Sequence, residues 1–253
     1  NRAVDEIREE IVKYCPKLFS YPNFVGTIQS FVDQFLAIPC GHVFLKTRLS
    51  WIDSDQFRTR LWNRFQGIYW DNAYEKPGTW FWNRHISEAK KQAKGNTQLE
   101  KEICNKMIEK EIKDIFYDFN DGKIKRFSDK ENVLVDSNNK KFIAVKSIID
   151  ENIFGGLISY EYAYNLAEYY LINFPQIKKI IQKRFRYVFV DEMQDMDKHQ
   201  HDLLEVLFYR KSVIGHVYQR IGDKNQAIYS GEVKLENIWK KREKTLPLKG
   251  SHR

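Results

Sequence analysis

Three acids and a glutamine follow a short apolar run at Tyr187-Val188-Phe189-Val190-Asp191-Glu192-Met193-Gln194-Asp195. Four β-prone apolar residues predict a buried strand, and in open α/β sheets ligands bind at the carboxyl ends of strands. An Asp-Glu pair at that place suits nucleotide hydrolysis. Asp191 would hold Mg²⁺, usually through a water, because this ion prefers oxygen ligands and keeps part of its hydration shell. Glu192 would polarise the attacking water. The blander reading is a strand whose acids cap the next helix. Asp197 with Gln200 does read as a capping box for a helix from Lys198 to Tyr209. That accounts for Asp197 and leaves Asp191, Glu192, Gln194 and Asp195 without a purely structural role.

A second strand is predicted over Ser212–Ile221, followed by Gly222-Asp223-Lys224-Asn225-Gln226-Ala227-Ile228-Tyr229. Asp-Glu-x-Gln-Asp, then Gly-Asp-x-x-Gln-x-Ile-Tyr, resembles motifs II and III of the UvrD/Rep-type superfamily 1 DNA helicases. Gly26-Thr27-Ile28-Gln29-Ser30-Phe31 is similar to motif Ib of that family, and Leu246-Pro247-Leu248-Lys249-Gly250-Ser251-His252-Arg253 to the start of motif IV. The opening Asn1-Arg2-Ala3-Val4-Asp5-Glu6-Ile7 is similar to the end of motif Ia. These short matches occur in the family's order along the whole chain.

The resemblance implies an α/β fold: a partial RecA-like P-loop NTPase domain with a parallel sheet, interrupted by a mostly helical insertion like domain 1B. Residues 1–40 and 165–253 would form the RecA-like part and 41–164 the insertion. The family's phosphate loop, Gly-x-x-x-x-Gly-Lys-Thr, has no counterpart in these 253 residues. The chain therefore reads as a fragment of a longer protein that would not hydrolyse ATP by itself, since the loop is the main anchor of the β- and γ-phosphates. The implied activity of the parent is ATP- and Mg²⁺-dependent 3′→5′ movement on single-stranded DNA. Its implied partners are single strands and duplex/single-strand junctions. Relatives serve DNA repair, recombination and antiphage defence, some beside a nuclease partner.

Residue by residue, the resemblance makes Asp191 the Mg²⁺ residue and Glu192 the general base. Gln226 would sense the γ-phosphate, and Arg253 would reach it with a guanidinium that stabilises developing charge. Gln194, Asp195 and Asp223 fall on the nucleotide side. Asn1, Thr27, Ser30 and Tyr229 fall on the DNA side, the first three touching the strand's backbone, a contact that carries no sequence information. Thr27 also reads as a plain helix N-cap, and both roles can coexist. Two positions depart from the family. Tyr229-Ser230-Gly231-Glu232 stands where many members carry Trp-Arg-Gly, and Gln29 stands where His is frequent. The hydrolytic residues thus match better than the DNA-reading ones. Two other readings are a non-hydrolysing helicase-like scaffold that binds DNA or protein, and a nucleotide-gated switch or loader.

Composition is compatible with these readings without choosing among them. A net charge of +8 permits a polyanionic partner but is equally ordinary for a basic soluble domain. Cys15, Cys40 and Cys104 lie far apart without metal-ligand spacing, which suggests a reducing, cytoplasmic setting and not a disulfide framework. No apolar run approaches the roughly 20 residues of a membrane span, so no membrane association is expected.

The elements that must carry these residues follow from periodicity and caps. Helices are predicted over 1–14, from Thr27 to Leu36, and from Ser54 with Phe57, Leu61, Trp62 and Phe65 on one face. Thr97 with Glu100 predicts a capping box for a long helix bearing Leu99, Ile103, Met107, Ile112 and Phe116. A hairpin is predicted from Asn132–Val135 and Phe142–Val145 around a turn at 136–139. Gly155-Gly156 breaks the chain before a helix over Ser159–Asn173, and a Pro175-led helix delivers it to the Asp-Glu strand. Between Trp62 and His85, eight aromatics alternate with basic residues. Such a stretch can stack bases, but core packing is the favoured reading because each ring buries a large apolar area.

Overall fold

The computed structural model describes residues 2–135, 137, 139–209, 215–223, 242 and 244–247. They form two compact units. One is the described part of Asn1–Ile7 with Val25–Pro175, and the other is Arg8–Phe24 with the described part of Gln176–Arg253. Leu36, Ala37 and Cys40 are fully buried inside the first unit.

The N-terminal helix α1 covers Arg2–Ile11, shorter than the expected span. The next helical stretch is longer than expected. Helix α2 (Ile28–Val32) passes through a wide π turn at Asp33–Ala37 into α3 (Ile38–Cys40), then through a second π turn at Gly41–Leu45. In the first π turn the Ile38 N–H reaches back five residues to the Asp33 carbonyl, which eases entry of Pro39, a residue with no N–H to donate. Lys46, in the left-handed conformation at φ 52°, ends the stretch.

The first unit then builds its core from five long helices. Strand β1 (Trp51–Ile52) precedes α4 (Ser54–Ile68), whose Asp53 cap accepts the Gln56 N–H at 2.8 Å and whose Phe57, Leu61 and Phe65 are buried at fourfold spacing. Pro77 opens α5 (Pro77–Ala93), and Thr97–Asp114 forms α6. The expected cap of α6 is corrected by one residue: Asn96 accepts the Gln98 and Leu99 N–H groups. The short Asn side chain reaches these amides from one position earlier than Thr97. Strands β2 (Ile115–Asp118), β3 (Lys123–Arg126) and β4 (Asp129–Val135) make an antiparallel sheet.

The predicted hairpin is overturned. Strand β4 pairs back onto β3, with Val135 opposite Ile124, while residues from Lys140 to Phe154 form α7. The run Phe142–Val145 is too short to reveal its period. The longer set Ala144, Val145, Ile148, Ile149 and Ile153, all buried, follows helical spacing. Strand β5 (Leu157–Ile158) pairs parallel with β1, and Ser159 caps α8 (Tyr160–Asn173) as expected.

Buried polar groups tie these layers together. Tyr162, fully buried in α8, accepts the Tyr117 N–H of β2 at 2.6 Å, and Asn165 accepts the Phe119 N–H at 3.2 Å. Glu111 of α6 sits among His85 at 2.6 Å, Arg84 at 3.3 Å and Arg126 Nε at 3.2 Å. Burial raises the Glu111 carboxyl, but hydrogen bonds from Arg126 and His85 and the charges of Arg84 and Arg126 outweigh it and hold it below the usual range.

In the second unit, α9 (Pro175–Arg184) leads into β6 (Tyr187–Val190), then α10 (Lys198–Phe208) and β7 (Val217–Arg220). The expected strand start at Ser212 lies outside the described residues. Strands β6 and β7 pair in parallel, Tyr187 opposite Val217 through Val190 opposite Arg220. Val190, Leu203, Leu204, Leu207 and Phe208 are buried in this unit.

Two stability effects follow. Replacing Glu111 with Gln removes the only buried carboxylate from a cationic cluster, and chemical denaturation should register a loss of about 3 kcal/mol; an unchanged midpoint would show that the cluster contributes nothing. Burial pushes Asp33 up to about 6, against a hydrogen bond from Gln29 that lowers it. Because the folded value is raised, this group's stabilisation is full below its unfolded value near 3.8 and is lost as pH rises through about 6. Asp33→Asn should therefore raise Tm at pH 7.5 and leave it nearly unchanged at pH 4, as thermal melts across that range will show.

Candidate active site

Because β6 and β7 are parallel, both release the chain at the same edge of the sheet. The pairing continues past the strands: the Ile221 N–H donates to Val190 O at 2.8 Å, and the Met193 N–H donates to Ile221 O at 3.0 Å. The loops Asp191–Asp195 and Gly222-Asp223 are thereby held side by side. The 3₁₀ turn Met193–Asp195 closes when the Asp195 N–H reaches the Glu192 carbonyl at 2.9 Å.

Glu192 enters this turn in the left-handed conformation, at φ 49°, a backbone state that costs a non-glycine residue of order 1 kcal/mol or more. The strain faces outward with its carboxylate, since Asp191 and Glu192 are both exposed. Asp191 Oδ1 accepts the Glu192 N–H at 3.0 Å, which leaves its other oxygen available. Exposed carboxylate oxygens at a strand end fit Mg²⁺, a hard ion that takes one or two protein carboxylates and fills its other positions with phosphate and water. Among the described residues no cluster of three or more His, Cys, Asp or Glu gathers to cage a metal.

Gln194 joins the two loops. Its side chain is only 4% exposed. The Gln194 carboxamide N–H donates to the Glu192 carboxylate, and its oxygen accepts the Asp223 N–H at 3.1 Å. Gly222 makes room for this bridge. A Cβ there would lie 2.4 Å from Gln194 Oε1, 2.9 Å from Met193 Cγ and 3.1 Å from Met193 N. The sequence marked Gly222 only as part of a motif; its steric role comes from the fold.

Helix α10 and β7 are fastened just behind the loops. The predicted capping box is present, with Asp197 accepting the Gln200 N–H at 2.8 Å and the Gln200 side chain returning to the Asp197 N–H. At the end of β7, Arg220 reaches Glu205 of α10 at 3.4 Å and His201 Nε2 at 3.1 Å, while Arg242 meets Glu205 at 2.5 Å. Burial and then the neighbouring Arg242 lower the Arg220 guanidinium, so Glu205 is the counter-charge on which both arginines depend.

Asp191, Glu192, Gln194, Asp195 and Asp223 are thus brought together. Thr27 and Ser30 belong to the other unit, where they form a helix cap. Ser30 N–H donates to Thr27 Oγ1 at 3.0 Å, and Ser30 Oγ–H donates to the Thr27 carbonyl at 2.8 Å. Asn1, Gln226, Tyr229 and Arg253 lie outside the described residues.

Parallel strands thus present an Asp-Glu pair beside a Gly-Asp turn at one edge of a small α/β sheet. The family model for the UvrD/REP helicase N-terminal domain matches residues 1–243. The chain belongs to that family, and with it to the DNA helicases, whose domains of this kind have a RecA-like α/β fold. None of the curated proteins compared with the chain matches it.

The Gln194–Gly222 contact can be tested by a double-mutant cycle. Gly222→Ala alone should cost about 1–3 kcal/mol of stability through overpacking. In a Gln194→Ala background, which removes the carboxamide oxygen it strikes, the same change should cost markedly less. Strict additivity in urea denaturation would show that the two side chains do not meet.

Proposed function

We propose that the chain supplies the hydrolytic acids of an ATP-driven, 3′→5′ DNA translocase or helicase. The observation that carries this reading is the exposed Asp191–Glu192 pair, fixed by Gln194 to the Gly222-Asp223 turn at the carboxyl ends of parallel strands. Membership of the UvrD/REP family supports it. Residues 1–40 and 165–253 are proposed as the RecA-like part, and 41–164 as the insertion.

Within this reading Asp191 would hold the ion that accompanies ATP, through the carboxylate oxygen that the Glu192 N–H leaves free. Bound Mg²⁺ neutralises charge on the phosphates. Glu192 accepts a proton from the attacking water, and its left-handed backbone with the Gln194 N–H sets the direction of its carboxylate. Gln194, Asp195 and Asp223 border the nucleotide, with the Gln194 bridge making the base sensitive to the neighbouring turn. Gln226 and Arg253 are proposed as the γ-phosphate contacts. Asn1, Thr27, Ser30 and Tyr229 are proposed on the strand's path; at Thr27 and Ser30 contact would share the hydroxyls already used in the cap. Duplex/single-strand junctions are the proposed substrate form, and association with a nuclease the proposed partnership.

The test is Mg²⁺-dependent ATP turnover by the full-length protein, with and without single-stranded DNA, beside Glu192→Gln. DNA-stimulated turnover that falls at least about 100-fold in the variant is expected, since a positioned general base contributes 10²–10⁴-fold. A folded protein that turns over no faster than its variant would sink the motor reading and leave a non-hydrolysing DNA- or protein-binding scaffold.

A further inference from the structure

The aromatic-basic stretch 62–85 divides once folded. Phe65 and Phe81 are completely buried, meeting edge to face with ring centroids 5.2 Å apart. Tyr69, Trp70 and Trp82 instead line a cleft of about 370 Å³, together with Lys101 and Asn105 of α6. All five residues belong to the unit that holds α4–α8.

The cleft's chemistry is that of a stacking site. Trp70 is 54% exposed, and its one ring contact is edge to face with Tyr69, at 4.5 Å and 83°, which leaves at least one indole face open. Among the described residues Trp82 packs against no other ring. Neither indole N–H donates to a protein acceptor among the described residues. The Tyr69 hydroxyl is buried without a hydrogen-bond partner. Burial, with Cys104 nearby, pushes it up to about 12, so it stays a neutral donor. Lys101 and Asn105, four residues apart, share one helix face and are exposed; among the described residues Lys101 makes no ion pair. Three aromatic walls, one free ammonium and one free carboxamide match a base, a phosphate and a base edge.

One wall, Tyr69, is also held in place before anything binds. The Gly78 N–H donates to the Tyr69 carbonyl at 2.6 Å, and a Cβ at Gly78 would lie 2.4 Å from that oxygen and 2.5 Å from the Tyr69 ring. The start of α5 is thus pressed against Tyr69, and a site ordered in advance loses less entropy on binding.

We propose that the cleft between Trp70 and Trp82 is a nucleobase-stacking site for single-stranded DNA, with Lys101 on the adjoining phosphate. It rests on the DNA-binding part of the proposed function and adds a contact in the inserted stretch. Base–aromatic stacking is tolerant of sequence because every base has a π-face, so no base preference is implied.

Fluorescence anisotropy of the full-length protein with labelled oligo(dT), beside an abasic oligomer of equal length and charge, tests it. Trp70→Ala should weaken oligo(dT) binding about tenfold and leave the abasic oligomer unaffected, with Trp70→Phe retaining most of the affinity. Trp82→Ala should act in the same direction. Because Trp70 is exposed, thermal melts should show the Trp70 variants folded. If the wild type binds oligo(dT) and both alanine variants bind it equally well, or lose both oligomers alike, the stacking site is overturned and the DNA reading stands. If the wild type binds neither oligomer, the DNA reading fails and the site with it.

Discussion

The parallel pairing of β6 with β7 is the constraint on which the candidate active site depends. A hairpin would send the chain out at opposite edges and separate the Asp-Glu loop from the Gly-Asp turn. Parallel strands bring both loops to one edge although their first residues, Asp191 and Gly222, are far apart in sequence. The backbone ladder then continues two steps beyond the strands, through Ile221 to Val190 and Met193 to Ile221. What remains is the separation of the loops at their tips, and the Gln194 carboxamide sets it, since one end meets Glu192 and the other meets the Asp223 amide. A buried amide with both ends engaged is costly to disturb, so the acid and the turn respond together.

How much of this was legible depends on how local its cause is. The Asp197–Gln200 capping box, the Ser159 cap and the Pro175 start were readable because the residues that make them are three or fewer positions apart. The β6 strand was readable because its β-prone side chains announce themselves in one run, but the expected burial is not met: Tyr187 and Phe189 are exposed and only Val190 of the strand is buried. The Phe142–Val145 segment was misread because four apolar residues fit either period, and only burial against α4 and the sheet decides for α7. Continuation of the α2 stretch past Leu36 was missed because the π turn that carries it, with the Ile38 N–H on the Asp33 carbonyl, has no signature in a short-range pattern. The steric demand on Gly222 was invisible in principle, since it arises from Gln194 on another loop.

The aromatic stretch shows the same division inside one segment. Phe57, Leu61 and Phe65 recur every fourth residue on α4 and are buried, so periodicity finds them. Tyr69 and Trp70 follow at the helix end, where the period no longer assigns a face. Their position is set by the turn into α5 and by the close approach of Gly78, neither of which a hydrophobic pattern encodes. A core reading therefore holds for Phe65 and Phe81 and does not account for the exposed Trp70.

Strain at Glu192 is best understood through what opposes it. A left-handed glutamate would relax if the turn after it were free, yet the turn is closed by Asp195 N–H on the Glu192 carbonyl and tied to β7 by Met193 N–H. Asp191 adds a third restraint by accepting the Glu192 N–H. Three hydrogen bonds of roughly 1 kcal/mol each are enough to hold a conformation that costs about as much as one or two of them. The local backbone therefore fixes the carboxylate's direction before any ligand arrives. In the proposed role, general-base catalysis would gain from that arrangement, because no reorganisation is needed when charge develops. A glycine at this position would relieve the strain but bring no carboxylate, so the sequence keeps a glutamate where backbone preference alone would not place it.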